Sequence, residues 1–299
     1  MDYKKIGAII FFFFILLSFI FGFLFIRDKP LFVDENTHYF QINKFFSGDF
    51  SIASSLTTIP GYHYAIFLLS DIFGFYFIAS ARFFSLIFSF ISIIVFFVLA
   101  KRMSKNYMTK IFQYAFFPIL FPFFFLIYTD VLSLMLVLFA LYFVFCENYE
   151  IAGVFGILSF FVRQNNVIWM AFLCALIYYD RNGFRINFKA IREFLIDIWV
   201  FILGFIITII FVIINGGFAI GDKSAHPAFS FHLGNLFFIL FFFFFLFLPL
   251  NIYNFFKIID FVKKKKWVWI VIIGIFLIYM QFFIVNHPYN FLAPEYFLR

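Results

Sequence analysis

Asp34 and Glu35 stand side by side near the start of Phe32 to Tyr64, FVDENTHYFQINKFFSGDFSIASSLTTIPGYHY, the longest polar interval in an otherwise apolar chain. The interval also holds His38 and His63, two of the five histidines, and a polar turn through Thr57, Thr58, Pro60 and Gly61. A carboxylate can take a proton from a hydroxyl, and an imidazole can give or accept one near neutrality. If Asp34 to Phe46 is helical, Asp34, His38 and Gln41 share a face at spacings of four and three, while Asp34 and Glu35 diverge. At most one of the two acids then points into a given pocket. The alternative is that one of them caps an interfacial helix.

Further polar residues with chemical potential punctuate the apolar runs: Arg82, Asp130, the run Arg163-Gln164-Asn165-Asn166, Asp222 with Lys223, His226 and His232, and His287. A charge at a bilayer centre costs about 2.5 to 3.5 kcal/mol on insertion scales and less near the edge. Arg163, flanked by three amides, therefore reads either as a polar-headgroup contact or as an arginine paired with a carbonyl or with Asp130. Lys223, His226 and His232 form a cationic cluster suited to a lipid phosphate, or an ordinary solvated loop. Their spacing matches no strong zinc pattern such as H-E-x-x-H, and neither a metal nor a cofactor is expected. There is no Gly-rich phosphate loop, nucleophile elbow or Walker pattern, which leaves cytoplasmic nucleotide chemistry without support.

The elements that must position these groups are membrane helices. Of 299 residues, 66% are hydrophobic and 12% charged, with a mean hydropathy of +1.06; soluble domains carry roughly twice that charge fraction. The net charge of +7 sits in short loops and not on a solvated basic face, so nucleic acid is not an expected partner. Cys146 and Cys174 lie in apolar segments with neither metal spacing nor a disulfide framework. Ile6 to Ile26 reads as a retained first span with a cytoplasmic N-terminus. The basic loops Lys101 to Lys110, Asp180 to Arg192 and Lys257 to Lys266 belong inside by the positive-inside rule.

That parity makes Gly61 to Ile78 an outer interfacial segment, followed by one inward helix from about Ala79 that sets Arg82 within reach of a lipid phosphate. Ile111 to Ile127 then goes out, Val131 to Cys146 returns, and Ile151 to Val162 with Val167 to Tyr179 form a short hairpin tipped by Arg163 to Asn166. Ile196 to Ile214, Leu236 to Phe256 and Trp267 to Val285 complete about nine full or partial spans. The expected fold is an all-α polytopic membrane bundle, one transmembrane domain over residues 1–299 with an outer loop, 27–78, carrying interfacial helices. Every polar cluster that the basic loops do not explain lands on the outer face, all five histidines among them.

The blocks VDENTHYFQINKFFSGDF, TTIPGYHY, YTDVLS, FVRQNNVIW, GDKSAHPAFSFH and NHPY resemble, in order, those of the eukaryotic dolichyl-phosphate-glucose-dependent α-1,2-glucosyltransferases. These enzymes add the terminal glucose of the N-glycan precursor and are multi-span glycosyltransferases. The resemblance runs from about Val33 to Tyr289; the tail Ala293 to Arg299 departs from the acidic-Asn-Arg-His-Tyr run expected there. It implies a dolichyl- or polyprenyl-phosphate sugar donor, a lipid-linked glycan acceptor and membrane lipids as partners. It further implies Asp34 as base with Glu35 in support, and Arg163, Lys223 and His226 near sugar and phosphate.

The expected substrate contacts are His38, Arg82, Asp130, Arg163, Gln164, Asn165, Asp222, Lys223, His226, His232 and His287. The active face would point away from the cytoplasm, in the endoplasmic reticulum membrane of a eukaryote or the plasma membrane of a prokaryote. Two other readings stand beside this one: a transferase of the same architecture for mannose or another sugar, and a transporter or lipid flippase. A transporter should show an internal repeat and polar residues near the midplane, and the sequence has neither.

Overall fold

In a computed structural model, residues 3–221, 233–265 and 267–282 are described, and among them every regular element is helical. The chain divides into two compact units, Met1–His226 and Pro227–Arg299.

In the first unit, α1 (Tyr3–Ile26) leads through a loop into two short helices, α2 (Glu35–Phe46) and α3 (Gly61–Phe73), which pack on each other. The long α4 (Ile78–Met103) follows, then α5 (Tyr107–Ala115), a 3-10 turn at Phe121–Phe124 and α6 (Thr129–Phe145). α7 (Tyr149–Val162) and α8 (Val167–Asn182) are joined by a 3-10 turn at Gln164–Asn166. α9 (Phe188–Asp197) bends by 73° into α10 (Trp199–Asn215). In the second unit α11 (Leu233–Leu246) packs on α12 (Leu248–Lys264) and α13 (Trp267–Phe282).

α4 organises the first unit. Ser80, Ser85, Ser89 and Ser92 are buried along it, and such small side chains let neighbours approach closely. Their hydroxyls also satisfy polar groups that an apolar core would strand. Ser85 Oγ meets the Tyr62 hydroxyl at 2.7 Å, Ser89 donates to the Phe124 carbonyl at 2.9 Å, and Tyr114 donates to Ser92 at 3.1 Å. The second core packs Ala152 and Phe160 of α7 against Met170 and Leu173 of α8 and Phe201 of α10.

Three expectations need correction. Ile111 to Ile127 is not one helix: α5 stops at Ala115 and a 3-10 turn with Pro122 in its first turn follows, because proline supplies no backbone N–H. Leu236 to Phe256 is likewise divided, at Phe247, with a proline in the first turn of α12. The basic stretch up to Arg192 is not a plain loop, since α9 starts in it, capped by the Asn187 side chain on the Ala190 N–H at 2.8 Å.

Among the described residues α4 is the one helix long and apolar enough to cross a membrane; counting each bent pair as a span gives up to 3. α6, α7 and α10 are apolar but run 17, 14 and 17 residues. At 1.5 Å per residue, α7 reaches about 21 Å. Helix length therefore does not reproduce nine spans.

The first unit has two chemically distinct ends. At one, Arg102 meets Cys146, Arg181 pairs with Asp197 and bonds Tyr149, and the Trp199 indole donates to Glu150. The other gathers the 27–63 segment, Tyr128 to Asp130, Arg163 to Asn166 and the loop after α10.

Candidate active site

The second end is built on a buried ion pair. Arg82 and Glu35 are both 0% exposed. Arg82 donates from Nε to Glu35 Oε1 at 3.1 Å and from its terminal nitrogen to Oε2 at 2.7 Å. Its remaining donors go to the carbonyls of Ile26 (2.6 Å), Lys29 (2.7 Å) and Pro30 (3.0 Å). Glu35 also accepts from the Phe32 N–H and from the Ile127 N–H, each at 2.9 Å. An ion pair taken fully out of water persists only when its lone pairs and protons are met in this way. Arg82 is thus not placed to meet a lipid phosphate, and Glu35 acts as a positioning residue that fixes the start of α2.

Asp34 precedes it with the opposite exposure. It occupies the N-cap position of α2, but its side chain makes no capping hydrogen bond. The carboxylate is solvent-facing while its backbone N–H donates to the Tyr128 hydroxyl at 3.2 Å. Capping, the alternative role for this acid, is therefore not how it is used. The preceding Val33 has φ +44°, a strained conformation for a β-branched residue, in the turn that presents Asp34.

His38 and Gln41 lie buried on one face of α2. Gln41 holds the following loop, donating to the Ser51 carbonyl at 3.1 Å and accepting from the Ala53 N–H at 2.7 Å. His38 Nδ1 faces His63 Nε2 at 2.9 Å, and its ring lies 5.4 Å from that of Tyr128. Burial pushes His38 down to about 4, opposed by the negative charge of Asp34, Asp130 and Glu35 and assisted by Arg163. His63, wholly buried, is pushed well below its ordinary value by burial and by His38. Both imidazoles are neutral at pH 7.

Asp130, in the first turn of α6, pairs with Arg163 at the end of α7; both are about one third exposed. Of the three amides beside Arg163, only Asn165 is exposed. Gln164 ties two loops together, donating to the carbonyls of Thr57 (2.8 Å) and Phe218 (2.9 Å) and accepting from the Ile59 N–H (3.3 Å). Asn166 bonds Ser133 and the Ser159 carbonyl. Gln164 is therefore spent on backbone, whereas Asp130 and Arg163 stay partly exposed and Asn165 is exposed.

Two close approaches fix these loops. A Cβ on Gly61 would stand 2.3 Å from the Phe161 carbonyl oxygen, so α3 meets α7 at a distance only glycine allows. Gly221, at φ +66°, lies against the carbonyls of Ser54 and Leu56. Asp222, Lys223, His226, His232 and His287 lie outside the described residues. Among the described residues no group of three or more His, Cys, Asp or Glu side chains is arranged to hold a metal ion.

The sequence reading singled out Asp34, His38, Asp130 and Arg163, and these the fold brings within electrostatic reach of one another. It assigned no role to His63 or Tyr128. Their signal was present, His63 in the long polar interval and Tyr128 next to Asp130, but no helical period links residues 25 and 90 positions from His38.

Known proteins resemble the chain along most of its length. The family model described as the DIE2/ALG10 family matches residues 28–186 and 180–293. A Candida albicans protein named Dol-P-Glc:Glc(2)Man(9)GlcNAc(2)-PP-Dol alpha-1,2-glucosyltransferase is 31% identical over 193 residues, covering 58% of this chain and 41% of its own. Homologues of the same name from Homo sapiens (26% identical; 69% of this chain, 55% of theirs) and Drosophila melanogaster (25%; 86% and 65%) extend the similarity. The chain spans about half the length of the curated relatives it matches. No solved structure matches it.

Proposed function

The chain belongs to the DIE2/ALG10 family, and from that premise we propose that it transfers glucose from a dolichyl-phosphate sugar to a lipid-linked glycan in a single inverting displacement. The observation that carries the reading is the family match over residues 28–293 joined to an exposed acid, Asp34, whose side chain makes no capping hydrogen bond. The donor's phosphate is already a good leaving group, so the reaction needs stabilisation of developing phosphate charge more than it needs an acid. Asp34 takes the proton of the acceptor hydroxyl. That oxygen attacks the anomeric carbon, the bond from this carbon to the phosphate oxygen breaks, and the electron pair leaves with the phosphate. Arg163, with Lys223 and His226 on the resemblance, meets that charge. Asp130 orients Arg163, and Glu35 with Arg82 holds Asp34 in place.

The same reading makes the chain a multi-span membrane protein with Asp34, Asp130 and Arg163 on the side away from the cytoplasm. Its short helices then cross in company, with Arg102, Lys105 and Arg181 at the cytoplasmic end.

Transfer of labelled glucose from dolichyl-phosphate glucose by membranes containing the protein tests the reading. A positioned base contributes about 10² to 10⁴ in rate, so Asp34→Asn should lose that factor at unchanged abundance and melting temperature. Full activity in a folded Asp34→Asn protein, or no transfer by the wild type, overturns it.

A further inference from the structure

At the end of the first unit opposite Asp34, α9 turns three different faces to its surroundings. Ala190 is buried and the Phe194 ring packs edge-on against Tyr178 of α8 at 5.1 Å, the face that the helix spends on the fold. Lys189 and Glu193 pair with each other at 3.9 Å on a polar side. Between these faces lie Phe188, Ile191 and Leu195, at spacings of three and four, all exposed, Phe188 by 85%. With Arg192, Ile196 and Trp199 they line an open groove of about 530 Å³ in the bend between α9 and α10. Contiguous apolar surface of this kind marks an interaction site.

Charge and shape identify the occupant. Arg192 is exposed, and no carboxylate among the described residues pairs with it, Glu193 being taken by Lys189 and Asp197 by Arg181. The groove therefore offers one unspent guanidinium amid apolar side chains. It also continues, because Trp199, Leu203, Ile206 and Ile210, spaced by four and three, form an exposed apolar stripe down α10. From Trp199 to Ile210 the stripe runs about 16 Å, and the hydrocarbon of one leaflet is about 15 Å deep, half of the bilayer core. With α10 standing across the membrane, a helix bent 73° from it lies close to the membrane plane. A cation at the interface with an apolar track leading inward from it matches a lipid with an anionic headgroup. We propose that the bend between α9 and α10 binds an anionic phospholipid, its phosphate on Arg192 and an acyl chain along Trp199, Leu203, Ile206 and Ile210. The groove lies away from the Asp34 end, so this lipid is not the sugar donor. The site rests on the membrane reading above and not on glycosyl transfer.

Trp199 makes the site readable. Changing Trp169, Trp267 and Trp269 to phenylalanine leaves it as the sole tryptophan of the chain. The test is quenching of its fluorescence, in phosphatidylcholine vesicles, by phosphatidylserine or phosphatidylcholine brominated in the acyl chains. Brominated phosphatidylserine should occupy the site about fivefold more readily, the gain of one basic residue near an anionic surface. Arg192→Gln should abolish that preference, whereas Lys105→Gln, which removes an exposed charge of the same sign, should keep it. Equal quenching by the two lipids, an unchanged preference in Arg192→Gln, or no quenching by either because protein covers the groove, would each overturn the proposal. If the single-tryptophan protein fails to fold, the melting temperature of the otherwise unaltered chain in detergent decides. Added phosphatidylserine should raise it more than phosphatidylcholine does, and Arg192→Gln should erase the difference; an equal rise with both lipids overturns the site. A lipid preference in a protein that transfers no glucose would leave the site standing and sink the glycosyl-transfer reading alone.

Discussion

Two neighbouring carboxylates, Asp34 and Glu35, differ in everything but chemistry. Glu35 has both oxygens occupied in a site sealed from solvent, whereas the Asp34 carboxylate is exposed and caps nothing. Removing one partner of a buried ion pair costs about 3 to 5 kcal/mol. Arg82→Leu and Glu35→Gln should accordingly lower the thermal midpoint in detergent by many degrees, while Asp34→Asn should leave it unmoved. Val33→Gly should raise it, relieving about 1 kcal/mol or more of backbone strain at φ +44°. The sequence separated the two acids by angle around a helix. It did not reveal Arg82's partners, Glu35 and the carbonyls at and just after the end of α1, which only the tertiary fold brings near. His38 adds a pH dependence. Its native pKa, about 4, lies below the ordinary histidine value of about 6.5, so between those values the unfolded chain binds the extra proton. Stability should fall as pH drops from 7 towards 4, and less steeply in His38→Gln.

Helices that look alike in sequence behave differently once their neighbours are counted. The run Ile111 to Ile127 is as apolar as α6, yet it breaks, and the break works because Ser89 of α4 takes up the Phe124 carbonyl. Prolines mark such a break in a sequence; the hydroxyl that tolerates it sits 35 residues away and leaves no local trace. α2 was legible from its period. The contact of α3 with α7 was not, since Gly61 reads in sequence only as a turn residue. Gly61→Ala would place a methyl group 2.3 Å from a carbonyl oxygen. Overpacking of this kind costs typically about 1 to 3 kcal/mol, and denaturation of the variant should show a loss in that range. The shift should be accompanied by reduced transfer, because the same displacement moves His63.

At the scale of the whole first unit, Arg102 and Arg181 lie at one end, and Asp34, His38, Asp130 and Arg163 gather at the other. Cysteines placed singly at Ser51 and at Lys105, in a background lacking Cys146 and Cys174, should react with an impermeant maleimide from opposite sides of sealed vesicles. Labelling of both from one side would contradict the proposed topology. The helix lengths escaped sequence reading because apolar composition marks where a segment is buried without telling whether its helix is continuous. The lock around Glu35 also imposes an order in time. Ribosomes deliver a chain from its N-terminus, and Glu35 emerges 47 residues before Arg82 and 92 before the Ile127 amide that completes its shell. At about 5 to 20 residues per second, the acid waits on the order of ten seconds before its last ligand exists. The stretch from Phe32 to Tyr64 must therefore stay in contact with water or a chaperone during that interval, and the shell around Glu35 can close only after α4 and the turn behind it have been made.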